Sequence, residues 1–293
     1  MQNKKNQLTR RDFIRGTLGA TLGTSILGVK WSKGDDRAVG SSLVAIVRDK
    51  NVLDADMTVD PNVLKKMLDQ AVIQFTGKEK IKDAWSTIVK PEDTVGLVPT
   101  QHLNPTHDEL VDVVTMTLTD VGISKEKIIM AQGSPEKARA CTTLIALPAL
   151  KAHWLTGIGT VLKNYIMYSG NPSRYHEENS SKLGEIWNLP HVKGKTKLIL
   201  VDALYPLCDK GPQSDPRYKW AYKGLIAGTD PVAVETICLR IITKKRRALR
   251  GEPWPISPPP LCVEEADKVY GLGTSRMEEI KIKHSGWEQD LLL

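Results

Sequence analysis

From residue 42 onward, short runs of β-branched and aliphatic residues alternate with segments whose apolar residues recur at helical spacing. SLVAIVR at 42–48 and TKLILVDAL at 196–204 read as strands, and PNVLKKMLDQAVIQFTG at 61–77 reads as a helix that Gly77 ends. Such alternation places helices against the faces of a sheet. We therefore predict one large α/β domain over residues 32–293, with a mostly parallel or mixed sheet and flanking helices.

Two of the predicted helices carry specific start signals. One opens with a T-x-x-E capping box formed by Thr106 and Glu109. Another opens with Asp230 as N-cap and Pro231 at the first helical position, and should run to about Arg250. The apolar stripe of the first of these helices is predicted at Val111, Val114, Leu118 and Val121, with Gly122 as the stop.

Residues 1–31 resemble a twin-arginine export signal. The segment TRRDFIR matches its pattern at Thr9, Arg10, Arg11, Phe13 and Ile14, and a glycine-rich, weakly apolar stretch of 14 residues follows. That stretch is shorter than the roughly 20 apolar residues of a membrane-spanning helix. We expect export to the periplasm with the twin-arginine translocase as partner. Without a clear A-x-A site, both cleavage and retention as a membrane tether stay open. The competing interpretation is a basic tail before a core helix.

The positive charge of the chain is concentrated in this leader. The formal net charge is +7, yet residues 1–31 contain six basic residues and one acidic residue. A face that binds a polyanion should persist without the leader, so we expect no nucleic-acid partner. The basic run KKRRALR at 244–250 suits the last turns of a helix, where cations complement the macrodipole.

The cysteines are widely spaced. Cys141, Cys208, Cys238 and Cys262 form no C-x-x-C pair, so the chain encodes neither a zinc knuckle nor a cysteine-ligated iron–sulfur cluster. One or two disulfides are compatible with export, and their pairing is not readable from the sequence.

The segment LKAHWLTGIGTVLKN at 150–164 concentrates chemistry in an otherwise apolar stretch. Lys151 and His153 follow the predicted strand TTLIALP, at the carboxyl end where open α/β sheets bind ligands. We predict that a helix begins near Gly157 or Gly159 and offers free N–H groups to a carboxylate or phosphate. Lys163 and Asn164, further along, are expected to line the same cleft.

Further candidates come from other segments. Arg174 and His176, in NPSRYH, could close over the cleft from the following loop, and Asp230 is a further ligand candidate. His107, His153 and His176 are candidate metal ligands, although no pair has the i, i+4 spacing of a helical metal motif. Each candidate also has a structural interpretation: a lysine that snorkels from a strand end, a hydrogen-bonded histidine, an exposed histidine at a helix start, or a helix cap for Asn164 and Asp230.

Two motif clusters resemble the domain-of-unknown-function 362 family, over residues 42–240. They are a P-x-x-K-x-H segment with a nearby K-N pair, and a Gly-Asp-Pro-Val-Ala segment. In this chain the matching residues are Pro148, Lys151, His153, Lys163, Asn164, Gly228, Asp230, Pro231, Val232 and Ala233. The chain departs from the family pattern at Glu235, where the pattern has Asp, and in KNYIMYSGN, where the glycine comes later. Some members carry an iron–sulfur domain whose cysteines this chain lacks.

Three hypotheses follow. The first is an exported enzyme of cofactor or small-anion chemistry, possessing acid–base or redox-linked activity. In it Lys151, Lys163 and Arg174 hold an acidic ligand, Asn164 orients it, and His153 or His176 moves protons, with His153 and Lys163 as the catalytic candidates. The second is a periplasmic binding or carrier module that uses the same cleft without turnover. The third is a membrane-tethered accessory protein that docks a redox partner. The sequence identifies no particular cofactor.

Overall fold

The computed structural model describes residues 42–293. The predicted export signal, with Arg10, Arg11 and Phe13, lies outside the described residues. Within residues 42–293, no helix combines the length and the hydrophobicity that crossing a bilayer requires.

The described chain forms one mixed sheet. Its strands are β1 (Ser42–Arg48), β2 (Val95–Pro99), β3 (Ile128–Met130), β4 (Thr143–Leu147), β5 (Ala149–His153), β6 (Gly157–Ile158), β7 (Thr196–Leu207), β8 (Gly224–Gly228) and β9 (Ile280–Gly286). The order across the sheet is β3-β2-β4-β7-β8-β1-β9, with β5 beside the end of β7 and β6 beside β5. Among the described strands, β8 and β6 run antiparallel to their neighbours and the others pair in parallel. The prediction of an α/β fold around a mostly parallel or mixed sheet with flanking helices is confirmed, and the sheet is mixed.

Helices cover both faces of the sheet. They are α1 (Pro61–Thr76), α2 (Ile81–Ser86), α3 (Asp108–Asp120), α4 (Pro135–Ala140), α5 (Gly184–Trp187), α6 (Pro231–Arg250) and α7 (Leu261–Lys268). Successive residues of a strand point to opposite faces, so Val44 and Ile46 join one core while Ala45 and Val47 join the other. Helices α1, α2 and α3 pack on the second core, and α4, α6 and α7 pack on the first.

Local capping explains the helices that were predicted well. Gly77 ends α1 with a left-handed φ of 70°, as predicted. Asp230 accepts hydrogen bonds from the backbone N–H groups of Val232 and Ala233, both at 2.9 Å, and α6 runs to Arg250. The basic run 244–250 forms its last turns.

The predicted start of α3 is wrong. The N-cap position is His107, and Thr106 is turned into the sheet, where its hydroxyl donates to the Leu147 carbonyl at 2.5 Å and accepts from the Thr100 N–H at 3.0 Å. Because a strand competes for this hydroxyl, no capping box with Glu109 forms. The buried stripe is shifted accordingly, to Leu110, Val113, Val114, Thr117 and Leu118, and Val111 and Val121 are only partly buried.

The helix predicted to begin near Gly157 or Gly159 does not exist. Strand β6 instead folds back on β5 as a short antiparallel pair, with Ala152 opposite Ile158 and His153 opposite Gly157. Gly157 has a φ of 75°, which breaks helical geometry at this point. Residues 159–165 then form an irregular turn, called here the lysine turn because it carries Lys163.

The four cysteines, Cys141, Cys208, Cys238 and Cys262, are buried and unpaired. The structure therefore places no disulfide among them.

The order of strands creates a crevice between β2 and β4. The chain leaves β2 through α3 toward β3 on one side, and it returns from β3 through α4 to β4 on the other side of β2. The two crossover helices lie on opposite faces of the sheet. Connections that diverge in this way leave a crevice at the carboxyl ends of the strands, which is where ligands bind in open α/β sheets.

Candidate functional site

A cleft of about 350 Å³ occupies this crevice. Its walls come from the segments that follow β2 and β3, from β5, and from the lysine turn. The lining residues are Pro99, Thr100, Gln101, His102, Leu103, Gln132, Gly133, Lys151, His153, Gly159, Lys163, Asn164, Ile166, Met167, His176 and Pro212. We call it the cationic cleft, since it contains two lysines and three histidines. None of these described lining residues is an Asp or a Glu.

Lys151 is a buried cation whose donors are already used. Its Nζ donates to three carbonyls of the loop 102–104, including those of Leu103 at 2.8 Å and Asn104 at 3.0 Å. Both of these residues have left-handed φ values, 55° and 65°. Burial and, second, the charge of Lys163 lower the pKa of Lys151 to about 7. Lys151 therefore holds the loop that forms one wall of the cleft.

His153 lies two residues further along β5 and points to the same side of the strand. Its Nδ1 accepts the N–H of Leu155 at 3.1 Å, so the neutral ring carries its proton on Nε2. Burial and, second, the charge of Lys163 lower the pKa of His153 to about 3. At neutral pH this side chain is an uncharged hydrogen-bond donor, which makes it a poor proton acceptor.

His176 stacks against His153, with ring centroids 5.6 Å apart and planes at 29°. It ends a short 3₁₀ helix, Pro172–His176, and its Nδ1–H donates to the Pro172 carbonyl at 2.9 Å. The neutral ring therefore keeps a lone pair on Nε2. Burial and, second, the charge of Lys163 lower its pKa. The two rings offer complementary groups, an N–H on His153 and an acceptor on His176.

The backbone of the lysine turn is fixed from the core side. The N–H of Val161 donates to Oε2 of Glu235 at 2.6 Å, and the indole N–H of Trp187 donates to the Leu162 carbonyl at 3.0 Å. Glu235 is completely buried in α6. The N–H groups that we expected to face a ligand thus face an internal carboxyl group.

Asn164 ties the same turn to the sheet. Its Nδ2 donates to the carbonyl of Val98 in β2 at 2.8 Å. Asn164 therefore lines the cleft and also sets the distance between the lysine turn and the end of β2.

Lys163 is the cation of the cleft whose charge no described residue balances. Its Nζ forms no hydrogen bond and no ion pair with any residue between 42 and 293, whereas Lys151 is fully engaged. Burial lowers the pKa of Lys163 to about 8. A partly buried ammonium group without a partner lowers the stability of the fold.

Two predicted ligand residues lie elsewhere. Arg174 is half exposed, pairs with Glu185 at 3.5 Å and does not line the cleft. The carboxylate of Asp230 forms its hydrogen bonds within the fold. Besides capping α6, it accepts from Ser42 Oγ at 2.5 Å and from the Thr274 N–H at 3.0 Å. Its role is that of a helix cap.

His107 belongs to a second cavity, of about 400 Å³, which we call the acidic cavity. Its Nδ1 and its backbone N–H both contact Oδ2 of the buried Asp202 at 2.7 Å. The three candidate metal ligands His107, His153 and His176 therefore do not converge. Across residues 42–293, no group of three His, Cys, Asp or Glu side chains is arranged to hold a metal ion.

Sequence reasoning missed three contributors. His102 and Gln132 follow β2 and β3 and line the cleft, and the strand-end rule that selected Lys151 could have found both. Gln132 Oε1 is buried without a hydrogen-bond partner in the described chain. The contact of Glu235 with the lysine turn spans 74 residues and has no local signal.

The sheet, its crevice and the lining of that crevice define an α/β protein with a basic cleft at the carboxyl ends of its strands. The family model for a domain of unknown function (DUF362) matches residues 54–240, well over half of the 293-residue chain. The chain belongs to this family, which confirms the resemblance seen in its motifs. No curated protein and no solved structure matches the chain.

Proposed function

We propose that this protein binds a small anion in the cationic cleft and that Lys163 supplies the attracting charge. The observation that carries the proposal concerns the described residues: the ammonium group of Lys163 has no partner among them, and the cleft lining that they form contains no Asp or Glu. An anion that enters the cleft would give Lys163 the partner that the described fold does not provide.

The uncharged groups narrow the kind of anion. His153 presents an N–H donor, whereas His176 Nε2 and Gln132 Oε1 are acceptors. An acceptor is satisfied only by a donor, so the cleft favours an anion that also carries an O–H. Near neutral pH inorganic phosphate carries one or two O–H groups and sulfate carries none, which makes the two a matched pair of probes.

The test is calorimetric titration of the purified protein with phosphate and with sulfate. We expect phosphate to bind more tightly, and Lys163→Gln to weaken phosphate binding by about tenfold or more, the loss of about 1.4 kcal/mol. Lys193→Gln, which removes the same charge from an exposed position outside the cleft, is the control and should bind as the wild type does. Equal binding by the Lys163 and Lys193 variants would contradict the proposal.

The paired rings favour acid–base chemistry on the bound anion, with His176 as proton acceptor in preference to His153. The support is the free lone pair of His176 and the pKa of about 3 at His153. A carrier without turnover would use the same cleft. If an activity on the anion is found, His176→Asn should remove the part of its pH profile that reports an essential base. His153→Asn should mainly weaken binding of the anion. The reverse pattern would exchange the two roles.

We further propose that the protein is exported by the twin-arginine translocase, as the sequence of its first 31 residues indicates. Replacing Arg10 and Arg11 by Lys should retain the protein in the cytoplasm, as judged by fractionation. Lys4→Arg, a change of basic residue outside the motif, should leave export intact. Export of the twin-lysine variant at the wild-type rate would remove the support for this proposal.

A further inference from the structure

The carboxyl group of Glu235 contacts the lysine turn from the core side. Oε2 accepts the Val161 N–H at 2.6 Å, and the amides of Thr160 and Leu162 are close enough to lower its pKa. Three successive N–H groups thus lie near this side chain, and that of Val161 forms the hydrogen bond. Two residues beyond Val161, the chain presents Lys163 to the cleft.

Burying the carboxyl group of Glu235 in the core lowers the stability of the fold. Glu235 is completely buried, and its Oε1 has no hydrogen-bond partner within residues 42–293. Cys238 and Cys262 lie near it. Burial raises the pKa of both thiols, and the charge of Glu235 raises it further. Burying an acid with one unsatisfied oxygen costs stability, so an apolar residue would serve packing better. The hydrogen bond to the lysine turn is the contact that accounts for a polar side chain at this position.

Other contacts of the turn do not replace this one. Trp187 donates to the Leu162 carbonyl, and the N–H groups of Asn164 and Ile166 donate to carbonyls within the turn. The Val161 N–H is directed at Glu235. Without that acceptor a buried backbone donor would be left unpaired, and the turn would have to move to satisfy it.

We infer that Glu235 is a positioning residue that holds the lysine turn so that Lys163 faces the cationic cleft. The inference rests on the proposed anion site and identifies what pre-organises it. It also connects the two motif clusters. Asp230 caps α6, α6 carries Glu235, and Glu235 fixes the turn that presents Lys163. Residues far apart in the sequence therefore act on one ammonium group.

The charge state of Glu235 determines the choice of variants. Burial raises its pKa to about 8, so near pH 7 the group is mainly the neutral acid. Glu235→Gln keeps an oxygen acceptor of the same reach without a charge and should preserve the turn. Glu235→Leu removes the acceptor at similar volume, and Glu235→Asp withdraws it from Val161 by one methylene while remaining an acid.

The experiment measures two properties of the purified full chain: phosphate affinity by calorimetry, and the pH titration of Lys163, assigned by comparison with Lys163→Gln. We expect Glu235→Gln to bind phosphate within about threefold of the wild type, and the Leu and Asp variants to lose about tenfold or more. In the latter two the pKa of Lys163 should rise from about 8 toward 10.5 as its side chain reaches solvent. If Glu235 acted only through packing, the Gln variant would have no reason to keep the wild-type phosphate affinity and Lys163 titration while the Leu and Asp variants lose both.

The outcomes separate this inference from the function on which it rests. If the Leu and Asp variants keep wild-type affinity and an unchanged Lys163 titration, Glu235 does not position Lys163. If Lys163→Gln itself binds phosphate normally, the anion proposal fails, and the Lys163 titration in the Glu235 variants decides the inference alone. Should the Leu variant fail to fold, the Asp and Gln variants carry the comparison.

Discussion

The cationic cleft and the acidic cavity have similar volumes, about 350 and 400 Å³, and share the loop that follows β2, yet their electrostatics are opposite. The cleft has lysines and histidines with no carboxylate among its described lining residues. The acidic cavity combines His107 and Lys219 with Asp108, Glu109 and Asp202. Lys219 lies over the Tyr205 ring at 4.2 Å, and burial lowers its pKa.

The histidines show what this difference does. Burial lowers the pKa of both His153 and His176, and the charge of Lys163 lowers both further. At His176 the hydrogen bond to the Pro172 carbonyl acts in the opposite sense without reversing the shift. Burial also acts on His107, but its hydrogen bond to Asp202 and the charges of Asp202 and Glu109 outweigh it and raise its pKa. Neighbours thus decide whether the pKa of a histidine in this fold lies above or below its ordinary value.

The largest expected effect is an opposite pH dependence of stability for two histidine variants. His153 has a folded pKa of about 3 against an ordinary 6.5, so its contribution is present above pH 6.5 and is lost as the pH falls toward 3. Stability should fall by up to about 1.4 kcal/mol for each pH unit in that window. His153→Gln should be less sensitive to acid than the wild type in urea unfolding.

For His107 the sign is reversed. Its pKa is raised, so its contribution is complete below pH 6.5 and is lost as the pH rises through the folded value. His107→Gln should therefore be most destabilised in acid and approach the wild type as the pH rises. If the difference in unfolding free energy between variant and wild type changes with pH in the same direction for both variants, the contrast between the two cavities is wrong.

A smaller effect is expected from Asp202→Asn. The buried carboxylate accepts from the His107 backbone, the His107 ring and the Leu204 N–H, so weakening these bonds should cost about 2–3 kcal/mol of unfolding free energy. Phosphate affinity should not change, because Asp202 does not line the cationic cleft. Asp108→Asn, at an exposed position of the same cavity, is the control for charge alone. Loss of phosphate binding in the Asp202 variant would show that Asp202 also shapes the cationic cleft.

Phosphate binding should itself depend on pH. Because the pKa of Lys163 is about 8, affinity should weaken above that pH as the ammonium group loses its proton, approaching about tenfold for each pH unit. Titrations at several pH values above 8 measure this, since phosphate keeps one charge state over most of that range. A flat profile would point to a cation other than Lys163.

The smallest effect should come from Arg174→Ala. Its ion pair with Glu185 is largely exposed, and such pairs contribute about 0–1 kcal/mol. Unfolding free energy and phosphate affinity should both stay near wild-type values. A large drop in phosphate affinity would return Arg174 to the ligand site, where the sequence had placed it.

Local sequence signals predicted the parts of the fold that local contacts determine. The helical period and Gly77 located α1, and Asp230 with Pro231 located α6, because caps and side-chain spacing act within a few residues. Thr106 failed as a cap because a carbonyl from a strand 41 residues away takes its hydroxyl. The lysine turn failed as a helix because Glu235 and strand β5 shape it.

The candidate site was predicted in composition but not in its allocation of roles. Lys151, His153, Lys163, Asn164 and His176 do line one cleft, since strand order brings their segments together. The sequence could not show which of their donors are already engaged. The ammonium of Lys151 is bound to backbone carbonyls, whereas that of Lys163 has no such partner in the described chain.

The three hydrogen bonds of Lys151 hold the loop 102–104 between the cationic cleft and the acidic cavity. Leu103 faces the cationic cleft and Asn104 faces the acidic cavity, so the loop is a common wall. A ligand that shifts this wall from one side changes the free energy of filling the other. By thermodynamic linkage the effect is reciprocal, and the same factor applies in both directions. Lys151 therefore holds in place the wall through which binding in the cationic cleft would affect binding in the acidic cavity.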